Sequence, residues 1–198
     1  MLKKQILLQI FILSFFYVAA QTEKKAKSIL PDHIKLQYAG GIGFISLGAG
    51  YESKKGKTEG DFFYGYVPKK LGGVEIHAIT GKFTWSPFKI INKGLVQIKP
   101  LSFGVLFNYT FGEQYFLFSP DNYSYNYYNY PTALHAGFFI GGQINGKVLN
   151  AKKLGLYYEV GAYDFALASY FGNRKALTIG DLMHLGLGVK YAFHLNSN

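Results

Sequence analysis

Four histidines of this chain fall in stretches of alternating polarity: His77, His135, His184 and His194. Imidazole is the side chain best suited to proton transfer or metal binding near neutral pH. A metal pair from His135 and His184 would need separate strands to bring them together, and no ligand spacing supports it. Hydrogen-bonded histidines inside the fold are the better expectation. With no cysteine in the sequence, thiolate sites and disulfides are excluded. No nucleophile and base stand at a telling spacing, so the expectation is no catalytic residue, no metal and no cofactor. A second set is ionisable: Lys35, Glu52, Asp61, Glu75, Lys82, Glu159 and Lys190 share the small-residue face of their stretches with His135 and His184. Turned inward, these nine would form a polar network whose charges must pair, because an unpaired buried charge is costly. A closed interior follows, not a pore. A third set is a candidate surface-binding loop of tyrosines, Tyr115, Tyr123, Tyr125, Tyr127, Tyr128 and Tyr130, since tyrosine suits sites that are apolar on one side and wet at the tip.

The elements that must hold these groups are strands. From Met183 to Leu195 every odd position is large and apolar, while the even ones are His184, Gly186, Gly188, Lys190, Ala192 and His194. That period of two is a β-strand with one greasy face. Six further stretches of the same kind are Ile34 to Tyr38, Ile45 to Glu52, Asp61 to Val67, Leu101 to Gly112, Ala133 to Ile144 and Leu154 to Tyr170, the last slipping near Tyr163. Val74 to Trp85 changes face midway, which predicts a bulge near Ala78. Ser86 to Pro100 reads as a basic connection bounded by prolines, and Glu113 to Pro131 as the longest loop. The eight strands predict an all-β fold, an antiparallel up-and-down β-barrel, with no internal domain boundary; that it is a transmembrane β-barrel is the expectation their second, small-residue face supports.

Residues 1–20 read as a secretory signal, with Lys3 and Lys4, an apolar stretch from Ile6 to Val18 and cleavage near Ala20. Residues 21–32 read as a flexible periplasmic leader and 33–198 as the barrel. Removing Lys3 and Lys4 lowers the basic count from 21 to 19 against 11 acids, a net charge of +8. For an exported chain the anionic partner this suggests is a lipid head group, not nucleic acid.

Alternation leaves two barrels open: a soluble one with its greasy face around a ligand, and a membrane one with that face outward. The second face favours the membrane, because Gly, Ser, Ala and Asn suit a narrow lumen and make a poor water-facing coat. Twelve residues from Leu101 to Gly112 also match the roughly 9 to 11 that cross a bilayer on a tilt. Aromatics such as Tyr51, Trp85, Tyr109 and Phe111 stand towards strand ends. His184, Gly186, Val189, Tyr191 and Phe193 resemble the C-terminal signal of bacterial outer-membrane barrels, and the whole mature chain resembles the small eight-stranded OmpA/OmpX-like type. The resemblance implies residence in the outer membrane of a Gram-negative bacterium and contact with outer-membrane lipid and lipopolysaccharide. It also implies that barrel-insertion machinery reads the C-terminal strand. Lys69, Lys70, Arg174 and Lys175 on outer loops could reach lipopolysaccharide phosphates. Members include lipid A deacylases, which use a His and a Ser two residues apart on a strand; neither His135 nor His184 has that neighbour. The expectation is therefore a non-enzymatic barrel with a structural or surface-contact role and an envelope partner not specified by the sequence. The alternatives are a lipid-modifying enzyme and a soluble periplasmic ligand carrier.

Overall fold

The structure is a computed structural model that describes residues 30–117, 131–148 and 152–193. From Pro31 onward the chain forms one compact unit. Its strands are β1 (His33–Ala39), β2 (Ile45–Glu52), β3 (Thr58–Val67), β4 (Ile76–Trp85), β5 (Ile91–Lys93), β6 (Val96–Phe111), β7 (Leu134–Val148), β8 (Lys152–Tyr163) and β9 (Met183–Ala192). Among the described residues three helices lie in the connections: α1 (Lys69–Gly72), α2 (Asp164–Gly172) and α3 (Ile179–Leu182). Neighbours pair antiparallel in chain order. β9 pairs with β1, and β4 pairs with β6, so that eight strands close an up-and-down barrel and β5 is a short flap on the start of β6.

The period of two decides which side chains point where. Leu36, Leu47, Phe62, Phe83, Phe107, Ile140, Leu156 and Leu187 stand on the outside, and Phe103 and Leu185 are 36% and 55% exposed there. Their strand neighbours Lys35, Ser46, Asp61, Lys82, Leu106, Phe139, Tyr157 and Gly188 turn inward and are buried. Aromatic pairs mark both ends of the outer surface, Tyr38 with Phe44 and Tyr109 with Phe111 at one end and Tyr191 with Phe193 at the other. Among the described residues no helix is long and apolar enough to cross a membrane.

Inside, Ile42, Phe63, Leu106, Phe139 and Tyr163 form one buried apolar cluster that runs from the middle of the barrel towards the β1–β2 turn. Three glycines make room for the large rings beside them. Gly48 lies across the strand pair from Phe63, Gly104 from Phe139 and Gly188 from Tyr157, and a Cβ at each glycine would run into that ring. The β1–β2 turn bends back through Ala39, Gly40 and Gly41, all at positive φ, a conformation that glycine adopts at little cost.

Four boundaries differ from the sequence expectation. β4 runs in unbroken register against β3 and β6, so the bulge expected near Ala78 is absent. Val74 and Glu75 belong to the preceding connection, and the apparent change of face arises because Ile76 and Ala78 share the inner face with Thr80 and Lys82, where they line the apolar mouth of the barrel. The register shift lies instead in β6, between Lys99 and Ser102. Much of the expected basic connection Ser86 to Pro100 is consequently the β5–β6 hairpin. β3 begins at Thr58, which brings Glu59 into the barrel wall. Finally, the apparent slip near Tyr163 is where β8 ends and α2 begins, so Leu154 to Tyr170 is not one strand.

Candidate functional site

The interior is built as tiers of side chains on neighbouring strands. Lys35 on β1 donates to Glu59 at 2.8 Å and to Asp61 at 2.7 Å, both on β3. His33, two residues before Lys35 and so on the same face, places Nε2 2.6 Å from the Asp61 carboxylate. Glu59 also accepts from Lys99 of β6 at 2.5 Å and faces Lys190 of β9 at 2.9 Å. The same two lysines reach Glu52 at the end of β2, at 2.9 and 2.8 Å. Thus Glu59 is gripped by three ammonium groups from three strands.

Towards the midsection, Lys82 of β4 pairs with Glu159 of β8 and donates to Gln37 at 3.1 Å. The Tyr157 hydroxyl donates to the same Gln37 oxygen at 3.1 Å. The Lys82 ammonium lies 4.6 Å from the Phe139 ring centre and 5.1 Å from that of Phe63, close enough for cation–π attraction. Four lysines, Lys35, Lys82, Lys99 and Lys190, thereby face four carboxylates, Glu52, Glu59, Asp61 and Glu159. Desolvation of each charge is offset by a partner, as buried ion pairs require. The network ties β1, β2, β3, β4, β6, β8 and β9 together across the lumen.

Ligand atoms of His33, Glu59 and Asp61 lie within 4.8 Å of one another, a spacing a metal ion could use. Both carboxylates are already bridged by Lys35, and Glu59 holds two further ammonium groups. A divalent cation would have to displace them, so the chemistry here is charge pairing.

At the end of the barrel that carries α2 and α3, a cavity of about 440 Å³ is lined mainly by apolar and aromatic groups, among them Ile42, Tyr115, Tyr163 and Phe165. His135 lies there with Nδ1 3.2 Å from an Asp164 oxygen, and its ring packs on Phe165 at 4.7 Å. His184 shares the cavity but packs on the opposite neighbour, Tyr163, at 5.1 Å. Asp181 at this rim is engaged by the backbone N–H and hydroxyl of Thr178, both 2.8 Å away, which hold its carboxyl below the usual range.

Of the nine residues expected in the lumen, the structure brings Lys35, Glu52, Asp61, Lys82, Glu159 and Lys190 into the ion-pair network. It places His135 and His184 in the mouth cavity instead. Glu75 is a correction: it is exposed and accepts a hydrogen bond from the outward-facing Tyr66 at 3.2 Å. Odd-numbered positions of β4 face outward, and Glu75 precedes that strand with the same parity. His77 likewise faces out, 2.6 Å from the Tyr64 hydroxyl. Of the tyrosine loop, Tyr115 is half-buried and lines the mouth cavity. Tyr123, Tyr125, Tyr127, Tyr128 and Tyr130 lie outside the described residues, as does His194.

Sequence reasoning missed His33, Glu59 and Lys99. The parity of Lys35 extended back two residues reaches His33, and that of Asp61 reaches Glu59. Lys99 is hidden behind the register shift, across which parity does not carry. Comparison with family models, with curated proteins and with solved structures finds no match to this chain.

Proposed function

We propose that this chain is an integral outer-membrane β-barrel with a plugged lumen, non-enzymatic, that serves envelope structure or surface contact. The observation that carries the reading is the reversal of an ordinary soluble barrel: charges are matched and buried inside, while leucine, phenylalanine and valine cover the outside. Exposed apolar area on this scale is unfavourable in water, at roughly 25 cal/mol per Å². Hydrocarbon tails remove that penalty. Aromatic pairs at the two ends suit the two membrane interfaces. A soluble ligand carrier would need the opposite arrangement. An enzyme would need a nucleophile beside the mouth histidine, and among the described residues no hydroxyl bonds to His135, whose partner is Asp164.

In this reading β9 is the strand offered to the insertion machinery, residues 1–20 are the export signal, and outer-leaflet lipid and lipopolysaccharide are the immediate partners. The test is location. The mature chain should fractionate with outer membranes and migrate faster on a gel unboiled than boiled, the behaviour of a barrel that resists detergent when cold. Recovery in the soluble periplasmic fraction, without a heat-dependent shift, would overturn the reading.

A further inference from the structure

Lysines gather at the barrel end opposite α2. A concave vestibule of about 390 Å³ opens there, within the ~300–1,000 Å³ of small-molecule pockets. Its wall takes Lys54, Lys55 and Lys57 from the β2–β3 turn, Lys89 from the segment before β5, and Lys153 from β8. Three separate segments therefore bring lysines to one space, with the Lys57 ammonium also donating to the Pro87 carbonyl at 3.5 Å.

The only carboxylate lining it among the described residues is Glu52, and both its oxygens are already held by Lys99 and Lys190. No described carboxylate forms an ion pair with any of the five wall lysines. Inside the barrel, four lysines already answer four acids, so the interior offers no spare negative charge to the vestibule. The wall is thus a cationic surplus held in a concave site. Its floor is Lys190, itself buried. Neutral donors stand among the lysines. Lys153 and the Asn145 amide both point at the Gln97 oxygen, at 3.3 and 3.4 Å, which leaves the remaining protons of that ammonium free for a ligand.

We propose that this vestibule binds a multiply charged anion of the phosphate class, with Lys54, Lys57, Lys89 and Lys153 as its ligands. Several ammonium groups and side-chain amides around one space match an anion with many acceptor oxygens and more than one charge, since charge-assisted hydrogen bonds are the strong ones. A monovalent carboxylate would leave most of the wall unanswered. The site needs the barrel but not its membrane setting, so the location test above can fail without touching it.

Pyrophosphate is the probe. The purified chain, in plain buffer or in nanodiscs of neutral phosphatidylcholine according to which keeps it monodisperse, is titrated with it by calorimetry, alongside the K54Q/K57Q/K89Q variant and, as a control at the other end, K69Q/K70Q. Far-ultraviolet circular dichroism verifies that each variant is folded. The expected result is saturable binding that weakens about tenfold or more in the triple variant, weakens with added salt, and is unchanged in the control. A repeat in nanodiscs containing cardiolipin separates the sources: competition identifies a lipid phosphate as the natural occupant, and its absence a soluble phosphate. No binding of pyrophosphate to the folded chain in the absence of anionic lipid, or an equal loss in the triple variant and the control, overturns the proposal.

Discussion

Glu59 shows how much one side chain can carry in a narrow lumen. It is 4% exposed and answers Lys35, Lys99 and Lys190 together. Converting it to Gln keeps the shape and removes the charge, leaving three buried ammonium groups with too little compensation. Breaking a buried pair in this way costs roughly 3–5 kcal/mol. Urea unfolding of Glu59→Gln in detergent micelles should therefore show a midpoint well below that of the parent chain; an unchanged midpoint would mean the network is dispensable. The small residues act by space alone. Gly104 seats the Phe139 ring, so Gly104→Ala should destabilise by about 1–3 kcal/mol through overpacking. Phe139→Ala should cost about 3–5 kcal/mol through a cavity. In the double variant the alanine methyl partly fills that cavity, so the double variant should lose less than the sum of the two single losses, a coupling that the same unfolding measurement reads. Lys35, Asp61 and Lys190 were legible from sequence because each lies within an unbroken period of two, and Lys82 because Phe83 and Trp85 beside it mark the outer face. Glu75 was misplaced because the apolar Ile76 and Ala78 read as the outer face, whereas they line the barrel mouth and Glu75 has the outward parity.

At the scale of elements, the strands with the longest clean alternation, β6 and β9, are the ones the sequence specifies best. Where polarity contrast is weak or a bulge intervenes, the pattern misleads. The Pro100-Leu101 step shifts the register and puts Lys99 and Ser102 on the same side. A proline has no N–H to give the ladder, which is why bulges tolerate it. The segment after Tyr163 held aromatic and apolar residues without a period of two, and it folds as α2. Helix α3 is fastened by a capping box, in which Thr178 and Asp181 satisfy each other's backbone groups. Since the folded Asp181 carboxyl is held low, its contribution is present above the ordinary carboxylate value of about 3.9. It is lost as pH falls through the depressed folded value. NMR titration of the Asp181 carboxyl should give a midpoint below that ordinary value in the native chain, moving up towards it in Thr178→Ala.

For the molecule as a whole, the interior is closed by matched charges at one level and by Phe63, Leu106 and Phe139 at the next. Reconstituted in a planar bilayer, the chain should pass no steady ionic current; stepwise conductance from the native sequence would contradict the plugged lumen. The eight-strand count and the grouping of the charges on one face were readable from alternation, because a strand's side-chain period is two; that the greasy face turns outward came from the small residues on the other face, which suit a narrow lumen. The lysine vestibule was not, since Lys54, Lys89 and Lys153 are far apart in the chain and only barrel closure makes them neighbours. That closure also sets a condition on assembly. The final edge to be matched belongs to β1, which waits for β9 from Met183 to Ala192. Until those residues reach the place of assembly, both margins of the sheet stay unsatisfied. A chain shortened by even its last strand should leave an open ribbon that quality-control proteases clear, so the product is all or nothing.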